Sequence, residues 1–142
     1  MDLMSFNFDH PRLADTVADS VLNRAAEQAA LEAHFDALRE RLADLARQQA
    51  SQSEIADVRL QMARALVGLE RGAEAWPLAR EVLDDFIAKE DFESAADACD
   101  VLFQADQPQS LAALGQGIWL AVTYPIDPDL SVELLTHVVD ET

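Results

Sequence analysis

Three histidines, one cysteine and 27 acidic side chains are the residues of this 142-residue chain whose types could do chemistry. His10, His34 and His137 are far apart in sequence. Glu133 and His137 are four apart, so a helix would place them on one face, where they could share a metal. A di-metal carboxylate bundle needs a Glu and a His three apart on each of two helices. That pattern is missing, so the pair reads as a surface salt bridge, and no metal or cofactor is expected. Cys99, in Ala98-Cys99-Asp100, has no nearby base or cation to lower its pKa and reads as a small core residue. There is no glycine-rich phosphate loop, HExxH, serine elbow or CxxC. A non-catalytic protein is the expectation.

Acidic side chains supply the other pattern. Glu93, Asp97 and Asp100 recur at i, i+4 and i+7 on one helical face, with Ala95, Cys99, Leu102 and Phe103 on another. Glu81, Asp84 and Asp85 could extend the stripe from the preceding helix. A solvated outer face is the plain reading. The functional reading is a docking surface for Arg- or Lys-bearing segments of a protein or peptide partner, acting through on-rate and selectivity. The formal charge of −17, with Lys89 the single lysine, repels phosphate backbones, which excludes nucleic acid and anionic membrane as good partners. One cysteine cannot form an internal disulfide, which points to a reducing compartment and a cytoplasmic location. The opening MDLMSFNFDHP has no basic n-region, so no signal peptide is expected there. No run of about 18 apolar residues exists to span a membrane.

These groups must be held by helices. Ala and Leu dominate an apolar half of the composition, with only four glycines and five prolines. Residues 1–10 read as an apolar arm (Leu3, Met4, Phe6, Phe8), and Pro11 suits a first helical position. Residues 11–50 read as one long helix or a hairpin bent near 28–30. Within it Leu31, Phe35, Leu38, Leu42 and Leu45 form a heptad seam, suited either to a neighbouring helix or to a second copy. Ser51-Gln52-Ser53-Glu54 is a capping box that opens a repeat region, 51–142, packed with 11–50 as a single domain. Gly72 is expected in the left-handed conformation after the next helix, with the helix of Pro77 beginning just before that proline. Asp91 and Asp127 are expected caps. Helix starts fall near 55, 74, 92, 108 and 128, a two-helix repeat of about 34–37 residues.

Two passages resemble tetratricopeptide-repeat proteins and their α-α solenoid relatives. Leu111-Ala112-Ala113-Leu114-Gly115-Gln116-Gly117-Ile118 has the bulky–bulky–small–bulky spacing of a first repeat helix. Asp91-Phe92-Glu93-Ser94-Ala95, followed by Cys99, Leu102 and Phe103, is similar to a second-helix pattern, and Gly72-Ala73-Glu74-Ala75 before Ala79 and Val82 echoes it. The resemblance spans roughly residues 53–142, and the family's early aromatic and closing proline are absent. It implies an all-α fold of stacked antiparallel hairpins whose face binds peptides or protein helices. The family's basic carboxylate clamp is not carried over, because residues 91–106 hold neither Lys nor Arg.

Eleven of the twelve residues 111–122 are apolar or glycine. A helix apolar all round is expected to be buried all round. Gly115 and Gly117, each costing about 1 kcal/mol against Ala in a helix, imply a close backbone approach. Leu114, Gly115, Ile118 and Trp119 are therefore expected, with the heptad seam, to meet a second subunit or client, and a homodimer follows. The adaptor reading thus has an alternative, an oligomeric accessory subunit or chaperone whose helix 111–122 is covered by a partner.

Overall fold

The computed structural model describes residues 2–124 and 126–141, with side chains described for 15–124 and 126–140. Among the described residues there are six helices: α1 (Asp2–Arg47), α2 (Gln52–Gly68), α3 (Gly72–Ala88), α4 (Phe92–Gln104), α5 (Ser110–Thr123) and α6 (Pro128–Glu141). The expected all-α hairpin stack is what forms. Each helix packs on the next, α2 also touches α4, and α4 touches α6, while α3 and α5 keep their Cα atoms more than 8 Å apart and meet only through side chains around a shared cleft. Hence α2, α4 and α6 share one layer and α3 and α5 lie on the other side.

Local chemistry sets the helix starts. The Ser51 hydroxyl accepts the Glu54 amide at 3.2 Å, Asp91 accepts the Ser94 amide at 3.2 Å, and Asp127 accepts the Asp129 amide at 2.9 Å. Each satisfies a donor that a helix end would otherwise leave unpaired.

The helix ends are less obvious. Gln49, Glu70, Glu90 and Asp106 take positive φ, from 53° to 59°, and no described glycine does. In three of these turns the next amide reaches back five residues: Ala50 to Leu45, Arg71 to Leu66 and Asp91 to Phe86, at 3.0, 2.8 and 2.9 Å. The left-handed residue expected at Gly72 is therefore Glu70. Gly72 begins α3 instead, and a Cβ there would fall 2.1 Å from the Ala105 carbonyl oxygen, so it is a close-approach glycine. Pro77 lies within α3, five residues past its start rather than just after it.

Ala63, Ala75, Ala79, Ala95, Ala96 and Ala98 are almost fully buried, and their small side chains let the helices close up. Val82, Leu83, Phe86, Leu102 and Leu114 fill the space between, each worth roughly 1.5–3 kcal/mol on full burial.

α1 is one rod, not a hairpin, and it passes through position 11 without a start there. The apolar side chains of 1–10 lie outside the described residues. From Leu31 onward α1 runs along α2, and a Cβ on Gly68 would lie 3.1 Å from Leu31 Cδ1. Before that point the rod extends past the end of α2, leaving Val17, Val21 and Leu22 exposed.

α5 is not buried all round. Leu114, Gly117 and Leu120 face the core, while Leu111 and Val122 are 64% and 76% exposed. The two glycines separate: a Cβ on Gly117 would meet Cys99 Cβ at 2.9 Å, whereas one on Gly115 would meet nothing within 4 Å. Close approach explains Gly117 alone.

Candidate functional site

The first turns of α4 and α6 start at the same end of their shared layer and bound a cleft of about 490 Å³. Asp91, Glu93, Ser94 and Asp97 line it from the α4 side, and Asp127, Asp129, Leu130 and Glu133 from the α6 side. None of these lining residues is Lys or Arg. Part of this acidity is structural, since Asp91 and Asp127 are caps and early carboxylates suit a helix dipole. The acidity also spreads to the start of α2. Burial, and then the neighbouring Asp91, raise the Asp57 carboxyl above its ordinary value.

Polar side chains from all three helices of the layer meet beside this cleft. Asp100 of α4 is 0% exposed. Its Oδ1 lies 2.6 Å from His137 Nε2 on α6, and its Oδ2 accepts Gln104 Nε2 at 2.9 Å. Arg64 of α2 pairs with Asp97 and brings its second terminal nitrogen to 3.8 Å from Asp100 Oδ2. The Phe103 ring packs tilted against the His137 ring at 4.8 Å. Glu133, one turn before His137, has its carboxyl pushed up by burial first, then by the charge of Asp100 and a hydrogen bond to it. A buried carboxylate is costly unless paired and hydrogen-bonded, and Asp100 has a partner on every side the fold offers.

Sequence reasoning located these residues only in part. Glu93 and Asp97 do line a common surface. Asp100 is on the same face of α4 but leaves the solvated stripe, because α6 folds over that end of α4 and covers it. Glu81, Asp84 and Asp85 do not join the cleft. Glu81 pairs with Arg59 at 3.1 Å and Asp84 with Arg80 at 2.9 Å. Glu133 and His137 are not a salt-bridged pair on an open surface; both turn to Asp100. The i, i+4 spacing was readable, but the 37-residue link from His137 to Asp100 required the fold.

The expected partner-contact residues also divide. Leu38 is buried against Val58 and Met62 of α2, with Phe35, Leu42 and Leu45 packed around them, so this seam is used within the chain. Arg39 and Arg71 place their guanidinium groups 5.9 and 5.7 Å from the Phe35 ring centre. Leu114 is buried and Ile118 packs on the core. Gly115 and Trp119 remain exposed. Trp119 meets Tyr124 edge-on at 5.9 Å, and Tyr124 stacks on Phe92 at 3.6 Å.

Cys99 is buried, and its thiol is pushed up to about 12, chiefly by that burial. Burial of this kind disfavours the thiolate, the nucleophilic form. No described helix is long and apolar enough to cross a membrane. The chain matches no protein-family model, no curated protein and no solved structure.

Proposed function

We propose that this chain is a non-catalytic protein-interaction module that receives a basic segment of a partner in the cleft between α4 and α6. The observation that carries this reading is the composition of the cleft walls: six carboxylates on two neighbouring helices, with no basic residue among its lining side chains. The sequence resemblance of residues 53–142 to tetratricopeptide-repeat proteins, whose hairpin stacks present a face that binds peptides or protein helices, supports the same reading. Such a surface raises the encounter rate of a cationic chain and rejects an anionic one.

A short arginine-rich peptide carrying a fluorophore is the test. Its binding should weaken with salt, because the Debye length shrinks to about 10 Å at 0.1 M. Glu93→Gln with Asp129→Asn should weaken binding further, while Glu81→Gln with Asp84→Asn on α3 should change it little. Equal loss from both pairs would reduce the effect to net charge and defeat the cleft reading.

A second reading, an oligomeric accessory subunit, is favoured by the exposed apolar side chains at one end of the stack. Leu111, Trp119 and Val122 of α5 and Val132, Leu135 and Val139 of α6 are all more than half exposed. Light scattering over a micromolar concentration series tests it. A constant monomer mass speaks against self-association.

A further inference from the structure

We propose that Asp100, Glu133 and His137 form a binding site for a first-row divalent metal ion of the zinc type. One donor atom from each lies within 4.8 Å of the other two. Two of the residues come from one face of α6 and the third from α4, so the set is assembled by packing. One imidazole and two carboxylates are a donor set suited to Zn²⁺, Co²⁺, Fe²⁺ or Mn²⁺, and less so to Mg²⁺, which prefers oxygen alone and keeps its waters.

The surroundings fit that use. Asp100 is fully enclosed, and the Gln104 amide fixes its Oδ2 at 2.9 Å, which aims Oδ1 at His137. This is the outer-shell support that orients a metal-ligating carboxylate. Arg64, the nearby cation, is engaged by Asp97. Its second terminal nitrogen also lies 3.8 Å from Asp100 Oδ2, so the charges of Asp100 and Glu133 that meet a 2+ ion are partly offset by this guanidinium. Zinc bonds to nitrogen and oxygen donors run about 2.0–2.2 Å, which sets ligand atoms more than 3 Å apart. Asp100 Oδ1 and His137 Nε2, now at 2.6 Å, must therefore open slightly, and the hydrogen they share leaves to solvent as the ion takes its place. Glu133 closes the third side. It also lines the acidic cleft, which gives the ion a negative path from solvent to the site.

The test uses the whole chain, stripped with chelator and titrated with Zn²⁺ and, separately, Co²⁺ and Mg²⁺. The expected result is saturable binding of one Zn²⁺ or Co²⁺, with visible cobalt bands and a rise in melting temperature, and much weaker Mg²⁺ binding. Gln104→Leu should weaken Zn²⁺ by roughly 10–100-fold, the usual effect of losing an outer-shell partner. Glu133→Gln should weaken it at least as much. Glu133 is at the surface, so this variant keeps the fold even where His137→Gln does not. His34→Gln, on α1, should leave binding unchanged. Absence of saturable Zn²⁺ binding overturns the proposal. So does binding unaffected by Glu133→Gln, or Mg²⁺ binding as tight as Zn²⁺, which would mark generic attraction to surface carboxylates. Glu133 also lines the peptide cleft, but the readout here is metal alone, so a failure leaves peptide capture to its own test.

Discussion

Replacing each of the two glycines of α5 by alanine should change stability in opposite directions, although they are two residues apart. At Gly115 an added Cβ meets nothing within 4 Å, so only helix propensity changes. Ala is favoured over Gly there by about 0.8–1 kcal/mol, and Gly115→Ala should stabilise the chain by that amount. At Gly117 the same gain applies, but the Cβ would lie 2.9 Å from Cys99 Cβ and 3.2 Å from Leu134 Cδ2. Both neighbours are almost fully buried, and a Cβ cannot rotate away. Overpacking of this kind costs about 1–3 kcal/mol, so Gly117→Ala should lose up to about 2 kcal/mol net. Urea melts of the two variants, compared at constant slope, read the difference directly. The clash is with the Cys99 Cβ rather than its sulfur, so the loss should persist in a Cys99→Ala background. Similar effects at both positions, or a stabilising Gly117→Ala, would refute the close packing of α5 on α4.

Further outcomes follow from the turns and the buried groups. Glu90 holds φ 58° with its amide bonded to Ile87, so Glu90→Gly should raise stability by about 1 kcal/mol in the same urea melts. The Cys99 thiol, buried and pushed up to about 12, should resist iodoacetamide at pH 8 in native chain and react on unfolding. The Asp57 carboxyl is raised by burial and then by Asp91, so the folded chain favours its protonated form. Stability therefore falls as pH rises from the ordinary value of 3.8 through the raised one. Asp57→Asn should be slightly more stable at neutral pH, by less than about 0.5 kcal/mol because the group is largely exposed. That advantage should vanish below the ordinary value, as pH-dependent melts would show.

The order and boundaries of α2 to α6 were legible because their signals are local. Ser51, Asp91 and Asp127 cap where their side-chain oxygens and sequence positions say they should. Turn geometry was not legible. Glutamate and glutamine carry no signal for positive φ, and the fold imposes it at Gln49, Glu70 and Glu90 through the hairpin. Periodicity identified the seam of Leu31 to Leu45 but not its partner, since the same spacing serves α2 or another chain. Composition misled at α5, where a uniformly apolar sequence leaves Leu111 and Val122 at the surface. At the candidate site, each of Asp100, Glu133 and His137 was visible, but their meeting depends on α6 folding back over α4.

α1 extends beyond the helix it leans on, and that asymmetry has a dynamic consequence. Starting a helix is unfavourable, while lengthening one adds a hydrogen bond for each residue fixed. The segment anchored on α2 supplies the nucleus, and the exposed turns before Leu31 grow from it with little tertiary support. Amide exchange along α1 should therefore form a gradient, fast around Asp15 and slowing steadily to Leu38, rather than one plateau. The rod is a single element by geometry and a graded one in its opening.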